Sequence, residues 1–140
     1  MAVSPNIKIV VADDSGTMRI MFKQILNKAG FENLVMAVNG ADGLEKVKTE
    51  KPDLIISDWN MPQMDGLEFL QALRKMDGFK TLPFIMATAQ SDKGQQIAIM
   101  EAGGNGHVPK PFDEGEISLA IEKAFSGESE DKSRHQNKEM

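Results

Sequence analysis

The chain predicts a doubly wound α/β domain: a five-stranded parallel sheet in the order 2-1-3-4-5, accompanied by five helices. Two observations carry that expectation. Short apolar runs alternate along the chain with segments of helical periodicity, the pattern of strands joined by crossover helices. Three of those runs also end on chemically capable groups: residues 7–12 on Asp13 and Asp14, residues 54–57 on Asp58, and the weaker 107–109 on Lys110. In an open parallel sheet, ligands bind outside the carboxyl ends of the strands. Three carboxylates and one amine are therefore expected in one crevice.

After the first strand, Met18, Met21, Phe22, Ile25, Leu26 and Ala29 recur at helical spacing, with Ser15 placed to cap the start and Gly30 the end. A second strand over 34–38 leads to a helix around Ala41, Leu44 and Val47, which must stop before Pro52. The third strand ends at Ser57. Residues 59–66, Trp-Asn-Met-Pro-Gln-Met-Asp-Gly, have a loop's composition, and Leu67, Leu70, Leu73 and Met76 resume a helical stripe. Residues 83–87 form a fourth strand ending on Thr88 and Ala89. The helix starting near Lys93 and Gly94 has little apolar content and should be loosely held. In the last helix, Ile117, Ala120, Ile121, Ala124 and Phe125 fall on one face.

Near-continuous apolar runs place strands one, three and four in the doubly covered centre of the sheet, with two and five at its edges. Pro109 agrees, because proline cannot donate to a strand ladder. The switch point then lies between strands one and three, flanked by Asp13, Asp14 and Asp58.

At 140 residues and 41% hydrophobic content, one domain with a sizeable core is expected over 1–125, followed by a polar, mobile tail over 126–140. No window approaches the ~20 apolar residues that cross a bilayer, and the N-terminus has no secretory signal order. A cytoplasmic location is expected. The absence of cysteine excludes disulfides and thiol chemistry, and a net charge of -5 disfavours nucleic acid as a partner.

Three carboxylates in one crevice repel, so they must be protonated, paired with a cation or bound to a metal. Oxygen donors suit Mg2+, which keeps several waters and is commonly held by one or two carboxylates. Asp14 and Asp58 are the expected direct ligands, Asp13 acts through water, and the Asn60 carbonyl completes the set. A carboxylate beside magnesium can attack phosphorus and form an aspartyl phosphate. Asp58, alone after a central strand, is the expected nucleophile. Lys110 would neutralise one phosphoryl oxygen and Thr88 would donate to another. Singly, each residue has a duller explanation: Asp14 or Ser15 as a helix cap, Asp58 starting a turn, Thr88 ending a strand, Lys110 in solvent. Their joint placement after four strands favours the shared site.

Asp13-Asp14, Asp58-Trp59-Asn60-Met61-Pro62 with Asp65-Gly66, Thr88-Ala89 and Lys110-Pro111-Phe112 resemble the receiver domain of bacterial response regulators. The likeness spans about residues 6–125, and within the family it is greatest to the stand-alone chemotaxis regulators. It implies a flavodoxin-like fold and a phospho-accepting signalling domain rather than an enzyme. It also implies metal binding by Asp13, Asp14, Asp58 and Asn60, a switching role for Thr88, and a cis Lys110–Pro111 bond. Asn60 and Gln90 would tune the lifetime of the acyl phosphate. The implied partners are a sensor histidine kinase, an output protein such as the flagellar motor switch, and a phosphatase.

Two positions depart from the family. His107 stands where a switching tyrosine or phenylalanine is usual; it is either a switch that responds to pH or a partly exposed edge-strand residue without that role. Pro109 replaces an aliphatic residue on the implied output face. A phosphoryl relay or phosphate sink is therefore a second expectation. An aspartate-nucleophile phosphatase is a remote third, because it needs a second aspartate two residues after the nucleophile, where this chain has Asn60.

Overall fold

The computed structural model describes residues 3–89 and 92–127. Gln90 and residues 128–140 of the expected tail lie outside them. Five strands, β1 (Ile9–Ala12), β2 (Leu34–Ala37), β3 (Leu54–Asp58), β4 (Phe84–Thr88) and β5 (Gly106–Pro109), alternate with five helices. The helices are α1 (Gly16–Lys28), α2 (Gly40–Glu50), α3 (Gly66–Arg74), α4 (Lys93–Glu101) and α5 (Glu114–Ser126). Every strand pairing is parallel and the order is β2-β1-β3-β4-β5, as the sequence predicts.

Strand alternation divides the core into two layers. Ile9, Val11, Leu54, Ile56, Ile85 and Ala87 face Phe22 and Leu26 of α1 and Ile117, Ile121 and Ala124 of α5. Val10, Ala12, Ile55, Phe84 and Met86 face Val47 of α2, Phe69, Leu70 and Leu73 of α3, and Ile99 of α4. Both faces of the central strands are therefore covered. Among α4 residues only Ile99 is buried, consistent with its weak apolar pattern.

Helix ends follow the local chemistry. The Ser15 side chain accepts from the Met18 N–H at the start of α1. At its end Gly30, at φ 103, donates to the Asn27 carbonyl, and Phe31 donates to the Leu26 carbonyl. Those two bonds form a Schellman motif, which needs the left-handed residue that glycine supplies. The α2 helix ends at Glu50, one left-handed residue before Pro52. Asp65 and Asp113 each form a reciprocal capping box, with Glu68 and Glu116.

Several boundaries differ from expectation by one or two residues. The first strand begins at Ile9 rather than Ile7, because the Lys8 N–H is taken by the Asp53 carboxylate at 2.9 Å instead of by a neighbouring strand. Met21 of the α1 stripe and Val38 beyond β2 are exposed. The α5 helix runs through Ser126 to a left-handed Gly127 cap, one residue past the expected edge of the domain.

Gly43 packs so closely that an added Cβ would lie 2.6 Å from the buried Phe69 ring. Gly43→Ala is expected to destabilise the fold by about 1–3 kcal/mol despite alanine's better helix propensity. Gly115→Ala, where the nearest neighbour is at an ordinary 3.5 Å, should be neutral or stabilising. Urea denaturation of the two variants checks the contrast.

Candidate functional site

Four of the strands, β1, β3, β4 and β5, each deliver a side chain at the carboxyl edge of the sheet. Asp13 directly follows β1, and its N–H continues the ladder to the Ala37 carbonyl at 3.1 Å. Asp58 and Thr88 are the last residues of β3 and β4, one position further into their strands than the sequence predicts. Lys110 follows β5, and its N–H reaches the Thr88 carbonyl at 2.9 Å. The parallel register thus carries four separated residues to one end.

One carboxylate oxygen from each of Asp13, Asp14 and Asp58 can be chosen so that all three lie within 4.8 Å of one another. Asp13 and Asp58 are buried, while Asp14 is exposed. The Lys110 ammonium lies between the two buried groups, 3.3 Å from Asp13 Oδ2 and 3.0 Å from Asp58 Oδ1. Asp13 Oδ1 also accepts the Ser15 N–H at 2.9 Å. Both Asp13 oxygens are therefore engaged by the protein. Asp58 Oδ1 accepts a second bond, from the Trp59 N–H at 2.9 Å, while among the described residues none donates to Oδ2. All-oxygen donors at this separation fit a hard divalent cation such as magnesium.

Burial pushes the Asp58 carboxyl above its ordinary value. The Lys110 hydrogen bond opposes that shift and the Asp13 charge adds to it. Burial also works against the Lys110 ammonium, but its hydrogen bond to Asp58 and the field of Asp58 and Asp13 outweigh that, leaving it raised.

Asn60 is exposed in the loop after β3, two residues from Asp58. His107 is half-buried in β5 in register with Met86, and Thr88 is in register with Pro109. Strand alternation puts His107, Met86 and Thr88 on one sheet face, the one covered by α4. The Lys110–Pro111 peptide is cis, as the family resemblance implies.

Sequence reasoning missed Arg19. Its guanidinium donates to the Asp13 main-chain carbonyl at 2.7 Å and fastens the turn that carries both acidic residues. A basic residue one turn into the helix after Asp13 was the available signal. Sequence reasoning quoted Gly66 with the motif but gave it no role; the Gly66 N–H closes the loop onto the Trp59 carbonyl at 2.8 Å. An added Cβ there would collide with the Asp58 carbonyl oxygen.

A doubly wound sheet with this acidic edge and a lysine after its fifth strand defines a class, and the chain belongs to it: the response regulator receiver domain family, whose model matches residues 9–122. Within that family it is similar to the chemotaxis protein CheY of Pseudomonas aeruginosa, at 39% identity over 118 residues, covering 84% of this chain and 95% of the relative. It is also 36% identical over 123 residues to CheY-3 of Vibrio cholerae, covering 88% of this chain and 95% of that protein. Among solved structures, the chemotaxis response regulator CheY4 of Vibrio cholerae superposes with a TM-score of 0.78 at 31% identity, covering 85% of this chain and 98% of that one. A putative response regulator from Chloroflexus aurantiacus does so with a TM-score of 0.80 at 31% identity, covering 86% and 98%.

The raised Asp58 pKa fixes a sign. Between the ordinary value of 3.8 and the raised one, the folded protein binds more protons than the unfolded chain. The contribution of Asp58 to stability is thus full below the unfolded value and is lost as pH rises through the folded one. Metal-free Asp58→Asn is expected to be more stable than the wild type near neutral pH and to lose this part of the pH dependence. Lys110→Ala, which leaves Asp13 and Asp58 without their shared cation, is expected to cost roughly 1–3 kcal/mol. Urea unfolding of wild type and both variants across the acid range checks both.

Proposed function

We propose that the chain is a phospho-accepting receiver. In this reading it takes a phosphoryl group from a CheA-like sensor histidine kinase onto Asp58 in a magnesium-dependent step and signals to a protein partner in chemotaxis, the flagellar motor switch. The observation that carries this reading is the Lys110 ammonium between the buried carboxylates of Asp13 and Asp58, beside the exposed Asp14. A cation fixed there lowers the cost of bringing a phosphoryl group to a site that is already anionic. Similarity to chemotaxis proteins supports the choice of partner and a cytoplasmic setting. Among the described residues, no helix is long and apolar enough to cross a membrane.

Asp58 Oδ2 is the attacking oxygen, because Oδ1 is already held by Lys110 and the Trp59 N–H. A lone pair on Oδ2 forms the new bond to phosphorus. The bond from phosphorus to the donor's imidazole nitrogen breaks, and its electron pair leaves with that nitrogen. Lys110 neutralises a phosphoryl oxygen and the Thr88 hydroxyl donates to another.

Asp14 and Asp58 would hold magnesium directly, together with the Asn60 carbonyl; Asp58 Oδ1 becomes available as Lys110 turns from it to the phosphoryl group. Asp13, with both oxygens committed to Ser15 and Lys110, acts through water. The metal supplies charge neutralisation between Asp58 and the incoming phosphoryl group. Asn60 and Gln90 set access to the acyl phosphate and hence its lifetime. Movement of Thr88 toward the phosphoryl group changes the β4–α4 face on which His107 also lies, and this biases the weakly held α4.

His107 and Pro109 favour a second reading, a phosphoryl relay or sink without a flagellar output, because both differ from the usual residues of the switching face. Rapid return of the phosphoryl group to a purified kinase, with no state-dependent binding to a motor-switch peptide, would select it.

Incubation with acetyl phosphate should add one phosphoryl mass to the wild type with magnesium. No adduct is expected without the metal or in Asp58→Asn, by intact-mass measurement. A wild type that takes up neither phosphoryl nor beryllofluoride would defeat the receiver reading. Thr88→Ala is expected to retain the adduct while losing the difference in partner affinity between the two states.

A further inference from the structure

The β2–α2 turn contributes no side chain to the acidic site, yet it is built against the loop that bears Asn60. That loop is anchored at its root by the Gly66 N–H to the Trp59 carbonyl and by burial of Met61. Its outer arm is a tight three-residue turn: the Met64 N–H donates to the Pro62 carbonyl at 2.7 Å, with Gln63 between them at φ 69. Turns of this kind are rare, and a non-glycine residue at positive φ persists only where its surroundings hold it.

Those surroundings are Asn39 and Gly40. Asn39 Nδ2 donates to Gln63 Oε1 at 3.2 Å, while Asn39 Oδ1 caps α2 by accepting the Asp42 N–H at 2.8 Å. The Gly40 N–H donates to the Met64 carbonyl at 3.1 Å. A Cβ on Gly40 would lie 2.7 Å from both that carbonyl oxygen and Met64 Cγ, so only glycine allows the approach.

We propose that Asn39 and Gly40 are positioning residues for the cation site: by clamping Gln63 and Met64 they set the place of the Asn60 carbonyl and hence the affinity of the Asp58 pocket for magnesium. This rests on the reading above in which that carbonyl is a ligand. Outer partners of a metal ligand act by fixing its orientation, and their loss weakens binding without removing a ligand.

The test is a magnesium titration followed by the fluorescence of Trp59, the only tryptophan in the chain, which neighbours Asp58 and begins the loop. Calorimetry provides a second readout. Asn39→Ser keeps a hydroxyl to cap α2 but cannot donate to Gln63, and it should raise the magnesium Kd about threefold to tenfold. Gly40→Ala should do the same, or fail to fold, in which case Asn39→Ser decides. The double variant Asn39→Ser/Gln63→Ala should bind no more weakly than Asn39→Ser, since both remove one bond. Gly43→Ala, in the same helix as Gly40 and expected to be destabilised through Phe69 of α3, should keep the wild-type Kd. A wild-type Kd in Asn39→Ser, or an equal rise in Gly43→Ala, overturns the proposal. A wild type that binds no magnesium by either readout defeats the cation-site reading itself, and the positioning role falls with it.

Discussion

Two buried carboxylates that share one ammonium set the terms for the rest of this molecule. Asp13 and Asp58 cannot both be charged at such close range away from water without a compensating cation, and Lys110 supplies it from the far edge of the sheet. The order β2-β1-β3-β4-β5 matters here because it puts β1 beside β3, while β4 alone separates β3 from β5. A lysine 52 residues from Asp58 in the chain is thus within 3.0 Å of it in space. Burial pushes Asp58 up, and the ion pair opposes that push while holding Lys110 charged.

That balance depends on the backbone around the acidic groups more than on the groups themselves. Asp13 is oriented by the Ser15 N–H and its main chain is held by Arg19. Asp58 is oriented by the Trp59 N–H, and its following loop returns through Gly66, where no side chain fits. On the outer side, the Asn39–Gln63 and Gly40–Met64 bonds tie the same loop to α2. The site is a set of loop ends fixed from several directions, whereas α4, with one buried residue, is the least anchored helix beside it. The pocket is thus held from several sides, next to an element that packs loosely.

Much of this was legible in the chain. The apolar runs of β1, β3 and β4 could only be buried on both faces, and that alone placed them at the centre. Ser15 and Gly30 marked the ends of α1, and the stripe of α5 named its buried face. Asp13, Asp14, Asp58 and Lys110 were readable as one site because each follows a strand, and in a parallel sheet all strands end on the same side. Asn39 and Gln63 were not readable as parts of that site, and the roles of Arg19 and Gly66 in it were not readable either. Their contributions run through main-chain carbonyls, an amide pair and an excluded Cβ, and of these only the basic residue one turn after Asp13 leaves a pattern at fixed spacing.

Sequence by itself therefore determined which residues could do chemistry, because hydrophobic periodicity fixes strand and helix identity and a strand's direction fixes which end its last residue occupies. It also determined the helix caps, which are local hydrogen bonds among residues a few positions apart. Only the tertiary structure decided that Lys110 bridges Asp13 and Asp58, that Asp13 spends both oxygens on the protein while Asp58 keeps one to which none of the described residues donates, and that the β2–α2 turn grips the Asn60 loop. Those outcomes depend on distances between elements far apart in the chain. Such distances are set by how two core layers pack against one twisted sheet, and no local pattern encodes them.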